Sequence, residues 1–313
     1  MQGKVKLLID NLNDVIIGKK EVIENVVIAL ISNGHLLIED VPGVGKTTLA
    51  KALAKSLDLT YRRVQFTPDL TPSDIIGVSI YDKNSGSFVF KKGPIFCNIF
   101  LADEINRTSP KTQSSLLQAM EEFEVSTESN SFLLEKPFLV LATQNPIEYQ
   151  GTFPLPEAQL DRFFMKISIG YPNKDDEKKI LKSYLDFKNL DKLKPILTKS
   201  ELLSISSEVE NVIVHDEILD YILDIVNMTR KYKSITLGAS PRASIDILKA
   251  SKAKAYISNR DYVIHDDVKS VVIPVLRHRI VLSAEARLEK KDADQILKEL
   301  IQKLYIGVQY AKK

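Results

Sequence analysis

Short apolar runs rich in β-forming residues alternate with helix-spaced patterns through the first half of the chain, whereas the second half carries almost only helical patterns. The runs are Leu36–Ile38, Tyr61–Phe66, Ile99–Ala102, Phe138–Ala142 and Phe164–Ile169. Strands separated by helices predict an α/β domain, a parallel sheet covered by helices on both faces. Two interruptions read as β-hairpins. Val78–Tyr81 and Ser87–Phe90 flank a polar turn around Asn84, and Glu124–Ser126 faces Phe132–Leu134 across a turn around Glu128. Between them, Ser109–Pro110 reads as an N-cap with proline at the first helical position, followed by the buried stripe Leu116, Leu117 and Met120.

The character changes after Gly170–Tyr171–Pro172, which sets domain limits of 1–170 and 171–313. Beyond it, Ile180, Leu181, Tyr184 and Leu185 recur at helical spacing, and Thr198 with Glu201 makes a capping box. Ile218, Leu219, Ile222, Ile225 and Val226 mark another helix, Ser240–Pro241 opens a further one, and Ile296, Leu297, Leu300, Ile301 and Leu304 mark the last. The expected architecture is an αβα domain followed by a small all-helical one.

Composition changes this picture little. With 313 residues, 44% of them hydrophobic and 27% charged, the chain can bury two cores beneath an ordinary polar surface. A net charge of +2 points neither toward nor away from nucleic acid. The single cysteine, Cys97, excludes an internal disulfide and sits beside an apolar run, as a buried inert thiol would. No apolar run approaches the ~18 residues of a membrane span, and no signal-peptide core follows the N-terminus, so a cytoplasmic protein is expected. His35, His215, His265 and His278 are scattered without metal-ligand spacing.

The candidate chemistry lies where predicted strands end. Asp40-Val41-Pro42-Gly43-Val44-Gly45-Lys46-Thr47 follows the first strand and precedes a helix, which is the context of a phosphate-binding loop. Its glycines let backbone N–H groups face phosphate oxygens, and the helix N-terminus adds positive potential. Lys46 is expected on the β- and γ-phosphates and Thr47 on Mg²⁺, with Thr48 beside it in the binding set. Asp40 stands where such loops usually carry glycine, a departure reconciled by aspartate's tolerance of left-handed backbone. The strand Ile99–Ala102 ends in Asp103 and Glu104, an expected Mg²⁺ ligand and an expected general base or water-positioning group. The strand Phe138–Ala142 ends in Thr143-Gln144-Asn145-Pro146, whose amide is a candidate for holding the attacking water. Arg162 closes the helical stretch after Leu155, placed either to reach a neighbouring subunit or simply to pair with Asp161.

This ordered set, together with Gly238-Ala239-Ser240-Pro241-Arg242-Ala243, resembles the MoxR family of AAA+ ATPases, and the likeness runs from Ile16-Ile17-Gly18 to Leu276-Arg277-His278-Arg279. The resemblance implies an ATP-hydrolysing, Mg²⁺-dependent enzyme whose sheet order is 5-1-4-3-2, with nucleotide between the sheet domain and a helical lid. It implies that Asn145 is sensor 1, that Arg162 is an arginine finger acting in trans, and that Arg242 is sensor 2, reaching the γ-phosphate of its own subunit. Ile16, Ile17 and Gly18 match the segment that cradles adenine. The hairpin around Asn84 is similar to the helix-2 insert, and the one around Glu128 to the pre-sensor-1 insert. Hexameric rings, chaperone-like remodelling and partners with a von Willebrand factor A domain follow from the same resemblance.

Three readings of function compete: an ATP-driven remodeller of protein complexes, a nucleic-acid motor, and a nucleotide-gated scaffold. No zinc site, appended DNA-binding domain or pronounced basic stretch supports the motor. Tyr81, Phe88, Phe90, Lys91 and Lys92 are placed either to grip a substrate or to pack their hairpin onto its own domain. Arg277-His278-Arg279 reads as a partner surface or a solvated helix face.

Overall fold

Three apolar strands, Leu36–Glu39, Ile99–Asp103 and Leu139–Gln144, are buried on both faces almost throughout, and the molecule is organised around them. The computed structural model describes residues 1–84, 86–127, 130–146, 151–185 and 193–311. Helices α1 (Gln2–Asn13) and α2 (Lys20–Ile31) precede β1 (Leu36–Glu39), α3 (Lys46–Ser56) and β2 (Tyr61–Gln65). Helix α4 (Pro72–Ile76) leads into the hairpin β3 (Gly77–Asp82) and β4 (Ser87–Lys92), and β5 (Ile99–Asp103) and α5 (Pro110–Glu122) follow. A second hairpin, β6 (Glu124–Ser126) and β7 (Ser131–Leu133), precedes β8 (Leu139–Gln144), α6 (Glu157–Leu160) and β9 (Met165–Ile167). The remainder is α7 (Lys174–Leu185), α8 (Lys199–Glu210), α9 (Asp216–Lys231), β10 (Ile235–Leu237), α10 (Pro241–Ile257), α11 (His265–Leu276), β11 (Val281–Leu282), α12 (Ala284–Leu288) and α13 (Ala293–Ala311).

The parallel sheet runs β2-β5-β8-β1-β9. Numbered by their own order along the chain, its strands read 5-1-4-3-2 from the other edge, as the resemblance implies. Alternation along each strand divides the core in two. Leu36, Ile38, Ile99, Leu101, Leu139 and Leu141 face α1, α2 and α3, in one cluster that continues into the lid helices. Leu37, Phe100, Val140 and Ala142 face the opposite way, onto Leu116, Leu117 and Met120 of α5. Burying each of these larger side chains contributes about 1.5–3 kcal/mol. The Ser109 hydroxyl accepts from the Thr112 N–H at the start of α5, and Thr198 and Ser240 cap α8 and α10 in the same way.

The lid is docked, not merely tethered. Helix α10 packs on α2 and α11 on β9, so the first turn of α10 comes to the edge of the sheet where strands begin. The lid is also not all-helical, which corrects the expectation. Strand β10 pairs antiparallel with β11 through Ile235 and Leu282, in a ribbon of three and two residues, too short to leave a periodic signal. The tip of the second hairpin, around Glu128, lies outside the described residues. Cys97 is buried as expected, and that burial pushes its thiol up to about 12. Among the described residues no helix is long and apolar enough to cross a membrane.

Candidate functional site

Strand β1 ends beside β8 and hands the chain to α3 through six residues. Gly43 and Gly45 adopt φ values of +86° and +96°, which glycine supports without strain. A Cβ at either would meet nothing within 4 Å, so backbone conformation, not crowding, requires glycine there. Lys46 opens α3, and its ammonium donates to the carbonyls of Asp40 (2.9 Å) and Val41 (3.3 Å). The loop and first turn border a cavity of about 380 Å³ lined by Pro42, Gly43, Gly45, Lys46, Thr47 and Thr48, with Arg63, Gln65, Asp103 and Glu104 opposite. Cation, helix N-terminus and open glycine backbone make this an anion site, and the Thr47 hydroxyl and Asp103 carboxylate supply the hard oxygen donors that suit Mg²⁺. Val44 belongs to the loop but does not line the cavity.

Asp40 is not the left-handed turn residue that the sequence suggested. It is not among the residues of positive φ. Its buried carboxylate instead accepts from the backbone N–H groups of Ile169 (2.5 Å) and Gly170 (2.8 Å) and from the Ser168 hydroxyl (3.2 Å), all through Oδ2. Oδ1 accepts from the Val41 N–H at 3.1 Å. Asp40 therefore ties the phosphate loop to the segment leaving β9 for the lid. Gly170 lies one residue from Tyr171, whose carbonyl accepts from Lys19, and this brings the Ile16–Gly18 segment alongside. Ile17 is half-buried, and Gly18 (φ +76°) packs so closely on Asp176 that a Cβ would stand 2.1 Å from its carboxylate.

The carboxylates at the end of β5 are held by residues that the sequence reading left out. Thr143 Oγ1, on β8, donates to Asp103 Oδ1 (2.6 Å) and accepts from the Glu104 N–H (2.8 Å). Arg63 donates to Asp103 Oδ2 through Nε (3.1 Å) and Nη2 (2.7 Å). Gln65 Nε2 and Arg107 Nη1 both donate to Glu104 Oε2, at 2.6 and 3.0 Å. Glu104 itself sits at φ +60°, a left-handed conformation that costs a non-glycine residue about 1–3 kcal/mol and is tolerated where the surroundings over-determine it. Asn145 is buried one residue beyond β8, whose Gln144 pairs with Glu39, and so lies at the same edge of the sheet. Arg63 and Gln65 alternate on β2 toward the β5 end, but nothing in their spacing announces that partnership.

Arg162 and Arg242 lie elsewhere. Arg162 precedes β9, at the edge where strands begin, and pairs with Glu121 Oε2 at 3.3 Å. Arg242 pairs with Oε1 of the same carboxylate. This corrects the expectation that Arg242 reaches its own subunit's γ-phosphate. Docking of α10 on α2 places it with Arg162, and neither lines the phosphate-loop cavity. The four residues of β1 put about 13 Å between the two edges.

Within Arg277-His278-Arg279, the last two residues form a clamp and not a partner surface or solvated face, whereas Arg277 is partly exposed and pairs with Asp294. His278 and Arg279 are buried. His278 Nε2 hydrogen-bonds the Phe163 carbonyl at 2.9 Å, and Arg279 pairs with Asp161 (3.2 Å) and Asp246 (2.5 Å) while donating to the Phe163 carbonyl (2.7 Å). Burial, then the Arg279 charge, holds the His278 ring well below its ordinary pKa. Burial also moves Asp246 upward against the pull of Arg279. On the first hairpin, Phe90 stacks on Phe132 with centroids 4.4 Å apart, whereas Tyr81 and Phe88 meet edge to face and stay exposed. The hairpin thus packs at its base and presents aromatic rings at its end.

Residues 35–165 match the model of the ATPase family associated with various cellular activities (AAA), and residues 227–300 match the AAA lid domain. The uncharacterized protein YeaC of Bacillus subtilis is 46% identical over 96% of this chain and 94% of its own length. Chaperone MoxR1 of Mycobacterium tuberculosis is 41% identical over 92% of this chain and 78% of its own. A crystal structure of a protein from Cytophaga hutchinsonii superposes with a TM-score of 0.89 at 41% identity, covering 96% of this chain and 94% of that one.

Proposed function

The chain belongs to the MoxR family of AAA+ ATPases and hydrolyses ATP; from that premise we propose that it does so as a homo-oligomeric ring, a hexamer, in which each subunit completes its neighbour's site. One observation carries the reading: the phosphate loop and Arg162 occupy opposite edges of one sheet, so one chain cannot bring both to one phosphate. In this reading the loop amides and Lys46 bind the β- and γ-phosphates, and Ile17 and Gly18 border the base. Thr47 and Asp103 hold Mg²⁺, which supplies charge neutralisation to the phosphates. Glu104 orients and deprotonates the attacking water, with Asn145 beside it. Arg162 and Arg242 both act in trans on charge developing at the γ-phosphate.

Residues 1–170 form the nucleotide-binding domain in this scheme and 171–313 the lid. The output is remodelling of protein complexes in the cytoplasm, with a von Willebrand factor A domain protein as partner; the exposed Tyr81 and Phe88 support contact with a client. The test is subunit mixing. Arg162→Ala should bind ATP yet turn it over slowly, by ~10³–10⁵-fold where such fingers matter most. Lys46→Ala should fail to bind. Mixed together, they should regain activity, since one supplies the pocket and the other the finger. No recovery at any ratio, with each variant folded, would count against the ring.

A further inference from the structure

Two guanidiniums from different domains converge on one carboxylate, and we propose that Glu121 is a placeholder anion, occupying between Arg162 and Arg242 the position that the neighbouring subunit's γ-phosphoryl group takes on assembly. The proposal rests on the trans reading above. Its geometry stands independently. Glu121 lies in the last turn of α5, the partially negative end of that helix, where cations gather. Oε2 pairs with Arg162 from the core, and Oε1 with Arg242 from the lid. Each carboxylate oxygen thus takes one arginine, as two oxygens of a phosphoryl group can.

The arginines are set side by side by contacts that do not involve Glu121. Asp161, next to Arg162, accepts from the Ser240 hydroxyl at 3.1 and 3.0 Å through its two oxygens. It also pairs with the buried Arg279, which reaches Asp246 on α10. Ser240 and Asp246 flank Arg242 on the lid, so finger and lid arginine belong to one block. Two like charges fixed that closely need an anion. Glu121 meets the need in a lone subunit, at the rim of a cavity of about 160 Å³ that Arg162, Arg242 and Lys249 also line. It is half in solvent, at 40% side-chain exposure, so it can swing aside without leaving a buried charge unpaired.

A placeholder competes with the ligand it imitates. Removing its charge should therefore favour assembly on ATP, whereas removing a structural strut should hinder it. The experiment measures ATPase rate against protein concentration for the full chain, wild type and Glu121→Gln, with light scattering in ATP as a second readout. The expected result is a fall of about fivefold in the concentration for half-maximal activity, the factor to which ~1 kcal/mol corresponds. Glu121→Asp, which keeps the charge, should stay near wild type. Followed by light scattering in ATP, because turnover is lost with these arginines, the shift should vanish when Glu121→Gln is combined with Arg162→Ala and Arg242→Ala. An unchanged or higher half-maximal concentration in Glu121→Gln overturns the placeholder, as does a shift that survives loss of both arginines. Mixing Arg162→Ala with Lys46→Ala separates the two ideas: complementation alongside an unshifted Glu121→Gln rejects the placeholder alone, and failed complementation rejects the trans reading beneath it.

Discussion

Replacing Asp40 by glycine creates the residue usual at the head of a phosphate-binding loop, and the structure predicts harm from it. The turn takes its freedom from Gly43 and Gly45, not from position 40. Glycine would delete a buried carboxylate that accepts from Ile169, Gly170, Ser168 and Val41 at 2.5–3.2 Å. Hydrogen bonds to a charged group are worth about 1.5–3 kcal/mol each. Water entering the vacated space recovers part of that, so the two backbone donors from Ile169 and Gly170 set a scale of about 3–5 kcal/mol. Added backbone entropy costs about 0.5–1 kcal/mol more. For a chain of this length one kcal/mol moves the melting temperature by about 1.5 °C, so Asp40→Gly should melt roughly 5–9 °C below wild type. Asp40→Asn keeps one acceptor and should lose about 1–2 kcal/mol. The assay is thermal unfolding by circular dichroism without nucleotide, paired with calorimetry of ATP binding. Affinity should fall too, because the same residue's carbonyl holds Lys46 and its carboxylate anchors the loop to the route into the lid. A glycine variant that melts within about 1 °C of wild type and binds ATP equally well would refute the argument.

Glu104→Gln should retain ATP and lose most turnover, because the amide keeps the size and surrenders the charge that polarises water; turnover within about twofold of wild type, a barrier change of only ~0.4 kcal/mol, would remove Glu104 from that role. Acid should destabilise the fold through His35, whose pKa burial lowers to about 4. The unfolded ring takes its proton near 6.5 and the folded one only near 4, so the contribution is complete above about 6.5 and about 3 kcal/mol is lost as pH falls to 4. Urea titrations of His35→Gln should show a flatter stability profile across that window, and an unaltered slope would place the loss elsewhere. DNA and RNA should leave the ATPase rate unchanged at ~150 mM salt, where specific complexes persist; several-fold stimulation that disappears on raising the salt would favour a motor.

Whatever depends on residues near one another in the chain could be read from its order. Alternating apolar runs dictate the strands, because a parallel sheet buries both faces, and the observed sheet order is the one the resemblance implies. The turn between β1 and α3 needs its glycines whatever surrounds it, so Lys46 and Thr47 were legible locally, and so was the Ser109 cap of α5. Partnerships across the fold were not. Arg63 and Gln65 stand 40 and 39 residues from Asp103 and Glu104, and Glu121 stands 121 from Arg242; charged side chains on surfaces carry no periodicity that would name a mate. The role of Asp40 was missed because an aspartate in a turn suggests local backbone freedom, while its acceptors' donors arrive from 128–130 residues away. Arg277-His278-Arg279 read as a partner surface or a solvated helix face because a charged triplet suits either, and only the docking of α11 on β9 buries His278 and Arg279. The docking of α10 on α2 decided Arg242. A helix can be read from its own spacing, but which edge of a sheet its first turn reaches is set by the surface it packs against, and that surface exists only once the chain has folded.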